Sequence, residues 1–246
     1  MFFYQIIIEY DGTSFVGWQI QKNGQSVQET IQKTLKKILK EKIILYGSGR
    51  TDSGVHALAQ SAHFSIKNKI DNKFFFLNTI NFFLNKKKIS ILSITKKKQD
   101  FHARYSAKQR SYKYVIANRI APLSLDINKA WHVRSILNIL LMKKAAKLLQ
   151  GTKDFSTYRS SSCGAKTAVR TIKKIRIKKE NNKLVIIFTS KSFLQQQVRS
   201  MVGCLKFLGE GKWTLKKFKH SMDSKKRFNC APPAPPHGLY LLKVSY

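Results

Sequence analysis

The sequence predicts an α+β protein of two similar sheet-plus-helix halves. Three observations carry this. Runs rich in Ile, Val and aromatic residues alternate with amphipathic stretches at helical spacing. Several strands follow one another at hairpin-like separations, which argues against a purely parallel doubly wound sheet. After the lysine cluster at 96–98, which reads as a solvated boundary, the chain begins again with a new strand; this divides it into residues 1–105 and 106–246. With 246 residues and 43% hydrophobic content the chain can build one large or two ordinary cores, and a disordered chain is excluded.

The elements follow in order. Phe2 to Tyr10 is a buried strand ended by the turn Asp11-Gly12-Thr13. Ser26 and Glu29 form a capping box for a helix that buries Val27, Ile31, Leu35, Ile38 and Leu39. Ile43 to Tyr46 is a short apolar strand entering the glycine-rich loop 47–54. Leu58, Ala62, Phe64 and Ile66 suit a half-buried strand, and Asp71 caps a helix carrying Phe76, Ile80, Phe83 and Leu84. Ile89 to Ile94 is a further strand. In the second half, strands at 110–117, 169–177 and 184–188 accompany a helix through Leu137, Leu141, Ala145 and Leu149, stopped by Gly151. Ser192 and Gln195 make a second capping box before Leu194, Val198, Met201, Val202 and Leu205. A short helix at 215–222 and a closing strand at 238–246 complete the chain.

Forty-seven Lys and Arg against twelve Asp and Glu leave a net charge of +35. AT-rich codon usage accounts for scattered lysines but not for so few acids, so a polyanion partner is expected. Cys163, Cys204 and Cys230 lack C-x-x-C spacing, and the six histidines lack H-x-x-x-H spacing, so neither a disulfide framework nor a metal site is expected. No apolar run approaches the ~20 residues of a membrane helix and no leader pattern is seen, so a soluble cytoplasmic protein is expected.

Most carboxylates read as turn or surface acids: Asp100, Asp126, Asp154, Glu180, Glu210 and Asp223 receive no role, and Glu9 and Asp11 mark a strand end. Asp52 differs. It lies in Gly49-Arg50-Thr51-Asp52-Ser53-Gly54, where flanking glycines let the backbone approach a ligand and Arg50 sets a cation beside the acid. An aspartate between glycines more often bonds its own loop amides. A nucleophile or base role gains weight from the cationic surroundings, which favour an ionised carboxylate. Tyr112 and Tyr114 share one strand face, as core rings or as a stacking surface for a base, and Arg199 sits in a mainly apolar helix.

These residues resemble the tRNA pseudouridine synthase A family. The resemblance rests on Tyr10-Asp11-Gly12-Thr13, Gly17-Trp18-Gln19, the block Gly49 to Ala57, Phe101-His102-Ala103-Arg104, Tyr112 with Tyr114, Asp154-Phe155, Val198-Arg199, Val202-Gly203 and Gly238-Leu239-Tyr240-Leu241. These span nearly the whole chain. Ser53 stands where the family commonly has Ala, Gln197 where a Met often precedes Val-Arg, and the loop 232–237 is unusually rich in proline. The resemblance implies a pseudouridine synthase fold whose halves flank a basic active-site cleft. It implies a homodimer acting on the anticodon arm of transfer RNA without metal or organic cofactor; separately, no recognition helix or zinc-finger pattern supports DNA as a partner, and no apolar run supports a membrane. It assigns Asp52 as nucleophile, Arg199 as its partner, Tyr112 to the target uracil and Arg50 to base displacement, with His102, Arg104 and Leu239 among the substrate-binding residues. The competing expectation is a non-catalytic RNA-binding or ribosome-associated protein, which explains the charge and the aromatics but gives no reason for Asp52 beside Arg50.

Overall fold

A computed structural model describes residues 1–246. The chain forms two compact units, one of Met1–Lys108 with Tyr240–Tyr246, the other of Gln109–Leu239. The first holds β1 (Phe2–Tyr10), α1 (Val27–Leu39), β2 (Tyr46–Gly47), β3 (His56–Ile66), α2 (Lys73–Leu84) and β4 (Ile89–Lys97). The second holds β5 (Gln109–Asn118), β6 (Trp131–Val133), α3 (Ile139–Leu148), β7 (Gly151–Asp154), β8 (Val169–Glu180), β9 (Lys183–Ser190), α4 (Gln197–Gly209) and α5 (Leu215–Asp223). The last strand, β10 (Leu239–Ser245), returns to the first unit, where Tyr240 and Leu241 pair in parallel with His56 and Ala57 of β3.

The α+β class is confirmed. In the first unit the strand order is β4-β1-β3-β10, with β2 also pairing β3. β1 is antiparallel to both neighbours, so Ile6 faces Ala62 on one side and Ile94 on the other. Ile6 and Ile8 are wholly buried, as are Val27, Ile31 and Leu35 of α1. In the second unit the order is β5-β9-β8-β7 with β6 beside β5. Tyr114 pairs with Ile186, which in turn pairs with Ile177. The helix α4 is buried along most of its length, through Val198, Met201, Val202, Cys204, Leu205 and Leu208. No helix is long and apolar enough to cross a membrane.

Several local expectations are corrected. The segment 43–46 contributes only Tyr46 to a strand. Ile43 and Leu45 are buried, but α1 side chains satisfy the backbone there: Leu45 N–H donates to Gln32 Oε1 (2.9 Å) and Gln28 Nε2 donates to the Leu45 carbonyl (2.8 Å). β3 is buried on both faces for most of its length. Of the lysine cluster, Lys96 and Lys97 pair opposite Tyr4 and Phe3 as the last residues of β4, and Lys98 follows the strand. The cap of α2 is Asn72, whose Oδ1 accepts from Phe75 N–H, while Asp71 is exposed and lies 3.5 Å from Lys69. Ser26 caps α1, but Glu29 turns to Lys33 (2.6 Å), so only half of that box forms. The box at Ser192 does not form. α4 starts at Gln197, because the buried Gln197 Oε1 accepts from Leu194 N–H (2.8 Å) and holds the preceding residues in a turn.

Glu210 is no surface acid. Its side chain is buried at the end of α4 among Lys206 (2.7 Å), Lys212 (3.2 Å) and the Ser135 hydroxyl. Burial raises its pKa, and these partners more than offset that and leave it lowered. All three cysteines are free thiols, although Cys204 and Cys230 bring their sulfurs within 3.5 Å.

The two candidate caps of α2 separate by substitution. Asn72→Ala is expected to lower stability by about 1 kcal/mol in urea unfolding, whereas Asp71→Ala changes it by less than about half that. Equal effects would return the cap to Asp71.

Candidate active site

Asp52 sits in the loop between β2 and β3, where no ladder is available to fix the backbone. The neighbouring segment Phe15–Trp18 takes that part. Trp18 N–H donates to the Thr51 carbonyl (3.1 Å), and the Ser53 hydroxyl and Gly54 N–H both donate to the Phe15 carbonyl. Val55 N–H closes a turn onto the Asp52 carbonyl (3.2 Å). So close an approach needs glycine: a Cβ on Gly17, whose φ is +115°, would lie 2.7 Å from the Thr51 oxygen. Gly47 is pressed against the Trp18 indole in the same way.

Behind the loop lies a buried polar set. Ser48 Oγ donates to Gln60 Oε1 (2.7 Å), Gln60 Nε2 donates to the Gly49 carbonyl (2.8 Å), and the Tyr10 hydroxyl is 2.8 Å from Thr51 Oγ1. Gln60 is fully buried, and its Oε1 also accepts from Ser61 N–H (3.1 Å), so the amide is satisfied on the loop side and the strand side together. The result is a rigid loop that leaves Asp52 half-buried and Arg50 exposed. One residue past the loop, the buried His56 accepts from Gly12 N–H at Nδ1 (3.0 Å), stacks on Tyr240 at 4.7 Å and lies 3.3 Å from Asp11. Burial works against ionisation of Asp11, but hydrogen bonds from Thr13 and the nearby His56 and Lys88 leave its pKa lowered.

His102 and Arg104, also in the first unit, lie in the loop between β4 and β5. His102 Nδ1 accepts from the backbone N–H of Arg104 (3.1 Å), so the imidazole shapes the loop that carries the arginine. Burial, then the charge of Arg104, lowers the His102 pKa, and His63 beside it is held down to about 4 by burial and by His102.

Tyr112, Arg199 and Leu239 belong to the second unit. Tyr112, on β5, is buried and meets Phe193 edge-on at 5.2 Å. Two residues on, the Tyr114 hydroxyl donates to the Pro235 carbonyl (2.8 Å), and burial raises its pKa far above the ordinary value. Arg199, half-buried on α4, donates from Nε to the Ala234 carbonyl (2.7 Å), while Ala234 N–H donates to the Arg199 carbonyl (3.0 Å). The proline-rich segment therefore grips Arg199 at both ends. Gly203, one turn along, gives it room: a Cβ there would meet the Pro232 oxygen at 2.1 Å. Leu239 is buried at the start of β10.

From the sequence alone, Tyr10, Trp18, His56 and Gln60 carry no site role. Tyr10, Trp18 and His56 lie within segments carrying the resemblance, but nothing local marks Gln60, whose loop partners lie eleven and twelve residues away.

A family model described as tRNA pseudouridine synthase matches residues 6–106 and 145–246. The chain is 58% identical over 246 residues, the whole of both chains, to the tRNA pseudouridine synthase A of Pelagibacter ubique (strain HTCC1062). It is 43% identical over 243 residues to that of Neorickettsia sennetsu (strain ATCC VR-367 / Miyayama), covering 99% of each chain. Among solved structures, a chain of a Cbf5-Nop10-Gar1 complex aligns with 82% of this chain and 53% of its own, at a TM-score of 0.36 and 9% identity.

The buried amide gives a stability test. Gln60→Leu leaves the Ser48 hydroxyl and the Gly49 carbonyl without this partner and is expected to cost about 1–3 kcal/mol. An unchanged urea midpoint would show that the loop is held by other contacts.

Proposed function

Since the chain belongs to the tRNA pseudouridine synthase family, a family of isomerases, we propose that it converts uridine to pseudouridine in the anticodon stem-loop of transfer RNA, with Asp52 as the nucleophile. The observation that carries this reading is the construction around Asp52: a carboxylate on a loop fixed from behind by Trp18, Phe15, Tyr10 and Gln60, in a chain with only twelve acids.

The reaction breaks the C1′–N1 bond and makes a C1′–C5 bond, so the base must turn while one of its two pieces stays attached. A single ionised carboxylate meets that need, by bonding either the sugar C1′ or the uracil C6. The target nucleotide first leaves the stack, at an unstacking cost of roughly a few kcal/mol. Arg50, exposed two residues before Asp52, suits displacement of the base. Tyr112 is assigned to the face of the extruded uracil, and its hydroxyl to the proton released from C5. Arg199 is assigned to pair with Asp52, and the double grip of the proline-rich segment supports its use as a fixed cation. His102, Arg104 and Leu239 are assigned to holding the RNA. The reaction uses no metal or organic cofactor in this reading, and the protein works in the cytoplasm as a homodimer. For the second copy, the exposed Phe74, Phe75 and Phe82 of α2 offer an apolar surface suited to burial.

Incubated with unmodified transfer RNA, the protein is expected to yield pseudouridine at anticodon stem-loop uridines. Asp52→Ala is expected to yield none while binding the RNA within about tenfold of the parent, because loss of a negative charge leaves phosphate contacts intact. Multiple turnover by Asp52→Ala would remove the nucleophile assignment, and binding without any product from the parent would favour the non-catalytic RNA-binding alternative. Sedimentation should give a dimer that Phe75→Glu with Phe82→Glu weakens at least tenfold; a dimer unaffected by both would place the interface elsewhere.

A further inference from the structure

We infer that the first unit carries a stacking platform for an unpaired nucleobase, formed by a ladder of four rings, Tyr105, His102, His63 and Tyr46, with Tyr105 as the surface that receives the base. The inference rests on the reading of transfer RNA as substrate and adds a contact that Asp52 chemistry does not require.

The rings follow one another in contact. Tyr105 lies 4.3 Å from His102 with 36° between planes, His102 meets His63 edge-on at 4.6 Å and 62°, and His63 stacks on Tyr46 at 5.1 Å and 21°. The imidazoles are inside the ladder and the tyrosines are at its ends, Tyr105 at 75% exposure and Tyr46 at 46%. Such exposure adds little to a core. The loop bearing Tyr105 is nevertheless firmly held: Ala103 N–H donates to His63 Nδ1 (3.1 Å), His102 N–H to Ser106 Oγ (3.0 Å), and the Tyr246 hydroxyl to the Ala103 carbonyl (2.9 Å). Ser106 N–H closes the turn onto the His102 carbonyl (2.9 Å). An aromatic side chain on a backbone fixed in this way loses little freedom when it binds.

Both imidazoles accept a backbone N–H at Nδ1, which fixes them as neutral rings. The ladder therefore packs ring on ring without placing two like charges side by side. Cations stand at its edge: the Arg104 guanidinium carbon is 5.6 Å from the Tyr105 ring centre, and Lys97 Nζ is 5.1 Å from that of Phe101, which meets His63 edge-on. Aromatic faces beside cations, on a chain of net charge +35, fit single-stranded RNA, in which each base offers a π-face and each linkage a phosphate. An apolar protein surface would not need the cations. Tyr46, at the other end of the ladder from Tyr105, precedes Asp52 by six residues, so chain length confines those two to within roughly 20 Å.

The test compares Tyr105→Ala, Tyr105→Leu and Tyr105→Phe on two probes, an RNA hairpin with 2-aminopurine in its loop and a blunt RNA duplex of equal phosphate count. Ala and Leu should weaken hairpin binding about tenfold and reduce 2-aminopurine quenching, while Phe stays within twofold of the parent. Duplex affinity and the slope of log affinity against log salt should not change, because the ring neutralises no phosphate. Melting curves matching the parent confirm that the variants fold. Equal hairpin affinity for Ala and parent, or an equal loss on the duplex, overturns the platform. Pseudouridine formation by the parent is scored separately: if it is absent while the hairpin loss persists, the enzymatic reading falls and the platform stands.

Discussion

The loop that presents Asp52 cannot be a strand, and from this constraint much of the first unit follows. A ladder would fix the backbone but would bury the carboxylate or turn it along the sheet. The loop's polar groups are satisfied instead by a relay that starts at a helix. The first N–H groups of α1 have no partner inside the helix; Val27 donates to the Gly17 carbonyl and Gln28 to the Trp18 carbonyl, at 3.1 and 3.0 Å. Trp18 passes the constraint on by donating to Thr51. Position is thereby transferred from a rigid helix to the residue before Asp52. The glycines at 17 and 47 are consequences of this relay, since any side chain at either would push the two segments apart. Gln60 completes it from the sheet, replacing strand pairing with two side-chain bonds.

The second unit solves the corresponding problem differently. Arg199 lies on a helix and needs no help with its backbone, but its long side chain carries about 2 kcal/mol of rotamer freedom. The proline-rich segment removes part of that freedom by accepting from Nε, and it is itself anchored by the Arg199 carbonyl and by the Tyr114 hydroxyl. Proline suits such a segment because its fixed φ leaves little to lose on ordering. The proline richness of this segment thus has a local use. Ser53 likewise adds a bond to the Phe15 carbonyl, and Gln197 sets where α4 begins.

The periodic elements were legible because their signal is local. β1 and α1 run as the apolar spacing predicts, and the α+β class holds. The misread elements are those in which a distant side chain competes with the local rule. Residues 43–46 have strand composition, yet Gln28 and Gln32 of α1 occupy the backbone groups that a ladder would use. The Ser192 box does not form, with Gln197 supplying a partner for Leu194 N–H, and the sequence shows Glu210 as a surface acid because Lys206, Lys212 and Ser135 converge only in three dimensions. The candidate site divides in the same way. Arg50 and Asp52 stand out because glycine, cation and acid are adjacent in sequence. Gln60 does not, since what defines it is burial against partners that the spacing does not reveal, and His56, though inside the resembling block, owes its place to Gly12 and Tyr240.

Charge and position do separate work here. Several carboxylates are spent locally: Glu29 on Lys33, Asp71 on Lys69, Asp126 on Lys183, Glu210 on two lysines and Asp11 on Thr13 and His56. The remaining positive charge sums to a broad field, which speeds encounter with a polyanion but is screened beyond about 8 Å at physiological ionic strength. Such a field draws RNA in without telling one nucleotide from the next. Discrimination has to come from groups that act over a few ångströms and are already fixed before the RNA arrives. The structure supplies these as rigid features: a loop held by a buried glutamine, an arginine clamped by backbone, and rings packed on imidazoles whose Nδ1 atoms are occupied by N–H donors. An excess of flexible lysines can therefore accumulate across the surface without blurring the site, because the fixed geometry does not depend on them.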